Sequence, residues 1–271
     1  MRFMGHDTKL VGGGMMMALL LPLLMGSKGG CGSKENNEKL ASPVQAVATL
    51  LEGADKTVTV ELVLISTATV PNQFITTATN ARVRVPSGSA GVEVPLAQST
   101  AGHYTASSLT APGLVYLGGQ TYQFKFDLVD EVLAKQVSGG TFIAVLDVPD
   151  DAVTAALGKA PAFAGDTATL TWTPAARSGI INVTNAAGQT TYSTFDFSTP
   201  AFDGAKWARL QTGGSFDLSV DVFPVPGTYT ARVCVVSKVS DFDKSLSVDL
   251  GVLSGFLAGR CPADLSITVG N

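Results

Sequence analysis

The sequence predicts an all-β protein, built as two tandem antiparallel β-sandwich domains behind an N-terminal leader. Three observations carry this. Short segments of alternating apolar and polar residues recur along the chain, separated by Gly-, Ser- and Pro-containing turns. Val, Thr, Ala, Gly and Ser dominate beyond residue 30, a bias toward strands and turns. The chain has 271 residues, 45% hydrophobic and only 15% charged, which is enough apolar material for two cores and too little charge for disorder.

Residues 1–30 read as a signal peptide. Arg2 and Lys9 form a weakly basic start, and Leu10–Met25 is an apolar run. That run is 16 residues long, whereas a membrane-spanning helix needs about 20. Pro22 and three glycines weaken it further as a permanent helix. Gly29-Gly30-Cys31 follows and resembles the lipobox of bacterial lipoproteins, in which small residues precede a cysteine that is diacylated. Lys28 departs from that pattern, which has an apolar residue three before the cysteine. The resemblance implies a lipid on Cys31, and two acyl chains make a stable anchor. Cleavage near Gly29 without lipidation is the alternative. The residue after Cys31 is Gly32 rather than Asp, which by the same resemblance implies an outer-membrane lipoprotein in a Gram-negative host. Residues 31–43 are polar and aperiodic, a flexible tether.

The first domain spans 44–148. Strands are predicted at 57–65, 81–85, 91–96, 102–106, 120–126 and 141–145. Val83 and Val85 share one strand face, and Tyr122, Phe124 and Phe126 share another. Val83, Val85, Val94, Leu96, Gly102-His103-Tyr104 and Gly119-Gln120-Thr121-Tyr122 resemble the transthyretin-like and Ig-like modules of bacterial surface lipoproteins. Residues 149–161 break the rhythm and read as a linker, with a short helical turn over 150–157 capped by Asp150.

The second domain spans 162–271. Strands are predicted at 166–174, 179–184, 190–195, 216–222 and 227–235, with a last one in Asp264–Gly270. Thr169-Leu170-Thr171-Trp172-Thr173-Pro174 and Gly227-Thr228-Tyr229-Thr230-Ala231-Arg232-Val233 resemble strands of fibronectin type III and related Ig-like domains. The resemblance implies a buried Trp172 and a Tyr229 whose hydroxyl bonds back to upstream backbone.

Three cysteines are an odd number in an exported chain. With Cys31 taken by lipid, Cys234 and Cys261 remain as a pair for an oxidising compartment. Two buried free thiols are the alternative.

Little is available for catalysis. His103 is the one histidine beyond the leader, so a Ser-His-Asp triad would rest on it alone, and a partly exposed strand histidine is the favoured reading. Zinc and copper sites need several His or Cys ligands together. No cofactor is expected. Acidic clusters stand at Asp127, Asp130 and Glu131, at Asp150 and Asp151, and at Asp241 and Asp243. Solvated loop acids are the favoured reading; the last pair is the first candidate for calcium, and a glycosidase could use two such acids. Trp207 lies in a polar stretch and is the candidate to stack a sugar, with plugging an end of the sandwich as the favoured alternative. Removing Arg2, Lys9, Lys28 and Asp7 from 18 basic and 22 acidic residues leaves 15 and 21, a net charge of −6 with no basic cluster, so nucleic acid is a poor partner. The expected protein is a non-catalytic envelope lipoprotein acting as a binding or structural module. Its partners are the membrane, through the anchor, and envelope proteins or surface polysaccharide.

Overall fold

Apolar side chains face both ways along Val44–Glu52 (β1), which makes it a central strand rather than an edge. Ala46, Ala48 and Leu50 enter one core, and Val47 belongs to an apolar cluster on the opposite face. In the computed structural model the described residues are 44–67, 70–88, 91–129, 141–195, 197–200, 210, 212–240 and 252–271. Cys31, Trp207, Asp241 and Asp243 lie outside them.

The described elements are almost entirely strands. After β1 come β2 (Val58–Ser66), β3 (Gln73–Phe74), β4 (Ala78–Val85), β5 (Val92–Pro95), β6 (Ala97–Thr100), β7 (His103–Ser107), β8 (Thr121–Leu128) and β9 (Thr141–Asp147). The second half adds β10 (Thr154–Lys159), β11 (Ala168–Thr173), β12 (Ser178–Asn185), β13 (Thr190–Ser193) and β14 (Ser215–Leu218). A 3-10 turn at Val220–Val222 precedes β15 (Gly227–Ser240), β16 (Val252–Arg260) and β17 (Leu265–Val269). No helix among the described residues is long and apolar enough to cross a membrane.

These strands form three sheets. The largest has ten strands in the order β13-β12-β15-β16-β1-β2-β7-β6, with β17 beside β15 and β3 beside β2. A four-stranded sheet, β5-β4-β8-β9, covers one end of its inner face, and a three-stranded sheet, β10-β11-β14, covers the other. Two cores result. The first holds Leu62, Leu64, Val83, Tyr122, Phe124 and Phe256. The second holds Leu170, Trp172, Val183, Tyr229, Val233 and Ile267. Trp172 is buried and its Nε1 donates to Arg177 O at 3.1 Å. The Tyr229 hydroxyl donates to Val225 O at 2.8 Å.

Three features differ from the sequence-based expectation. First, residues 154–159 are a strand, not part of a helical turn. Ala155 and Leu157 alternate inward onto the second core, and β10 pairs antiparallel with β11, placing Ala155 opposite Trp172. The burial of this alternating face outweighs the helix preference of Ala and Leu. Second, the segment 216–222 leaves the sheet at Leu218 and turns. Third, β16 runs between β15 and β1, so a C-terminal segment completes the first core with Phe256 and Ala258. It pairs antiparallel with β15 but parallel with β1, from Val44↔Val252 to Glu52↔Arg260. The two sandwiches thus share one sheet.

Candidate functional site

The outer face of the shared sheet is where polar chemistry converges. Strand alternation sends Thr49 and Leu51 of β1, Ile180, Asn182 and Thr184 of β12, and Thr230, Arg232 and Cys234 of β15 to this face. After β13 the chain returns across it as a strap carrying Phe195 and Phe197. Their rings stack at 5.7 Å with planes 16° apart. They pack on a small outer cluster of Val47, Leu210, Cys234, Val236, Leu257 and Cys261. Between strap and sheet lies a half-open cleft of about 540 Å³.

Charged groups at the cleft are paired. Asp264 receives two bonds from the Arg232 guanidinium, each 2.8 Å. This grip and the neighbouring carboxylates hold Arg232 further into its charged form. Glu61 accepts from His103 Nδ1 at 2.7 Å, and His103 Nε2 donates across to Phe197 O at 3.0 Å. The ring thus bridges a carboxyl group and a backbone carbonyl, with both of its nitrogens engaged. His103 also meets the edge of Phe74 at 5.2 Å. The histidine that the sequence left as a plain strand residue is therefore a clasp between β7 and a strap from the other half of the chain. Its partner is 94 residues away, and no local pattern announces that.

A second polar assembly sits at the junction of the two cores. Arg260, at the end of β16, bonds Glu52 Oε1 at 3.1 Å and the carbonyls of Asp150 and Asp151 at 3.3 and 3.0 Å. Its guanidinium lies 4.8 Å from the centre of the Tyr116 ring. Arg177 grips the Asp151 carboxylate through Nε and Nη2 and meets Ser237 through Nη1. Burial pushes the Tyr116 phenol up, partly offset by Arg260. Asp150 and Asp151 thus belong to a junction that fixes backbone. Of the first acidic cluster, Asp127 accepts from Asn80 Nδ2 at 2.7 Å, and Asp130 and Glu131 lie outside the described residues. Among the described residues no three His, Cys, Asp or Glu side chains are grouped to hold a metal ion.

Cys234 and Cys261 are joined in a disulfide with their Cα atoms 4.1 Å apart, and both are buried beneath the strap. Cys234 forms part of the cleft lining.

No protein-family model matches the chain, and no curated protein matches it. Among solved structures it is similar to an alpha-2-macroglobulin of Salmonella reacted with methylamine, at 10% identity and a TM-score of 0.23. That likeness covers 84% of this chain but 15% of the macroglobulin. So small a score says nothing about function.

Proposed function

We propose that the protein is a non-catalytic module of the bacterial cell envelope, exported and then tethered by a lipid on Cys31. The observation that supports this is the Cys234–Cys261 bond. Disulfides persist in oxidising compartments and are rare in the cytosol. The bond also uses two of the three cysteines and leaves Cys31, behind Gly29 and Gly30, as the odd one. Gly32 after the cysteine favours the outer membrane in a Gram-negative host. The role is binding or structural. Asp151 is engaged by Arg177 and His103 is spent on a clasp, which favours a scaffold that presents a surface over a site that turns over a substrate.

The test is the non-reduced intact mass of the native protein. A chain beginning at Cys31, carrying acyl groups and lacking two thiol hydrogens, is expected. An unmodified chain beginning near Gly30 overturns the anchor. A chain retaining residues 1–30 overturns export by this route.

A further inference from the structure

We propose that the cleft on the outer face of the shared sheet binds a segment of a neutral oligosaccharide. This rests on the binding-module reading and gives it a site and a ligand class, but it does not depend on the lipid.

The carrying observation is a set of uncharged polar groups without a partner among the described residues. Thr49, Asn182, Thr184 and Thr230 all border the cleft, and none of these side chains is hydrogen-bonded to another described residue. Thr49, Asn182 and Thr184 are only half exposed, so their hydroxyl and amide groups are held in a partly dry setting. Thr184 stands directly opposite Thr230 in the ladder, and Asn182 lies two residues along the same strand. Neighbouring strands are about 4.8 Å apart and same-face residues about 6.8 Å apart along a strand. The sheet therefore presents a grid of groups that both donate and accept, which is the complement of a hydroxyl-bearing surface.

Charge selects against ionic ligands. Of the three charged residues bordering the cleft, Arg232 and Asp264 neutralise each other and Glu61 is hydrogen-bonded to His103. An anionic or cationic ligand would have to break one of those pairs. The wall supplies the other half of saccharide recognition. Half-buried Phe195 and Phe197 offer aromatic surface to the apolar C–H face of a sugar ring beside the polar floor. A peptide would fit less well. Extended peptides bind sheets by edge pairing, and here the backbone groups of β12 and β15 are already used in their ladder. The cleft volume of about 540 Å³ falls within the usual range for ligand sites, about 300–1,000 Å³.

The experiment titrates the purified mature protein, by NMR and calorimetry, with cellohexaose, maltohexaose and the hexamer of N-acetylglucosamine, and with hexagalacturonate as the anionic counterpart. At least one neutral hexamer is expected to bind with a Kd of about 1 mM or tighter. Asn182→Ala is expected to weaken it about tenfold, the loss of one or two such bonds. Thr230→Arg, at an exposed position that leaves both cores intact, is expected to block it. Thermal unfolding confirms that each variant is folded. Absence of binding by all three neutral hexamers, tighter binding of hexagalacturonate, or unchanged affinity in both folded variants overturns the proposal. None of these outcomes touches the intact-mass test of export and anchoring.

Discussion

Cys234 is bonded to Cys261 at the point where β15 changes partners. Residues 235–240 of β15 pair with β16, and residues 227–231 pair with β17. The turn joining β16 to β17 begins at Cys261, whose N–H donates to Glu52 O at 2.8 Å. The bond therefore pins the fork from which one branch runs to the first core and the other to the second. It closes a loop across a sequence separation of 27 residues, for which chain entropy gives about 3 kcal/mol. The double variant Cys234→Ala/Cys261→Ala is expected to lose about that much in urea unfolding. Wild type in reductant should lose a similar amount, and a loss near zero would show that the fork holds without it.

Gly259 tests whether the two cores are one cooperative unit. A Cβ there would collide with the Val235 carbonyl oxygen and lie 2.7 Å from Val236 Cα, in the middle of the β15–β16 ladder. Backbone on both sides leaves no flexible side chain to move aside. Gly259→Ala is expected to cost well over about 2 kcal/mol, beyond an ordinary point substitution. Trp172 reports on the second core and Tyr122 and Phe124 on the first. Tryptophan fluorescence and near-ultraviolet dichroism should lose signal at one shared midpoint. Two separated transitions would mean that the shared sheet does not couple them.

Much of the fold was legible because alternation is a local signal. Strands β2, β4, β5, β7, β8, β11, β12 and β15 all show it, and Trp172 is buried and Tyr229 bonds upstream backbone as the resemblance of their strands implied. What escaped was the part decided by distant partners. β16 reads as Val-Leu-Ser-Gly-Phe-Leu-Ala-Gly-Arg, and its two glycines imitate turn punctuation. Gly259 is there because the neighbouring backbone passes too close for a side chain. β1 hides its period by being buried on both faces. The cleft was illegible for the same reason: Thr184 and Thr230 are ordinary strand residues until the fold sets them side by side.

His103 clasps the strap. Replacing it with Leu removes the bonds to Glu61 and to Phe197 O together. Hydrogen bonds to charged groups contribute about 1.5–3 kcal/mol when protected. Glu61 is 37% exposed, so solvent screening lowers the sum. A loss of about 1–2 kcal/mol is expected, with faster amide exchange concentrated at 193–198. Uniformly unchanged exchange there would show that the histidine does not hold the strap.

Arg260 holds the junction. Glu52 is only 12% exposed and is shared by Arg260, the donor to two carbonyls, and by Lys56 Nζ at 3.2 Å. Removing one member of a buried pair costs about 3–5 kcal/mol in full burial, and less here because Lys56 stays beside the carboxylate. Arg260→Met is expected to lose about 2–4 kcal/mol. Adding Glu52→Gln should recover part of it by neutralising a half-buried carboxylate left with Lys56 alone. A double variant no more stable than Arg260→Met would place the cost in the lost carbonyl bonds and the Tyr116 contact instead.

The phenols set the alkaline limit. Burial raises Tyr104, Tyr116 and Tyr122 above the ordinary tyrosine value, chiefly by desolvation. Each hydroxyl also donates to a backbone carbonyl: Tyr104 to Ile75, Tyr116 to Pro149 and Tyr122 to Val115. An ionised phenolate could not make that bond. With the folded value above the unfolded one, the folded state keeps its proton where the unfolded chain would release it. The stabilisation is therefore complete below the unfolded value of about 10 and drains away as pH rises through and beyond it. Absorbance at the phenolate band should show these three tyrosines ionising together with loss of near-ultraviolet dichroism. Reversible ionisation of all five tyrosines near pH of about 10, with dichroism intact, would show that the phenols are neither dry nor bonded.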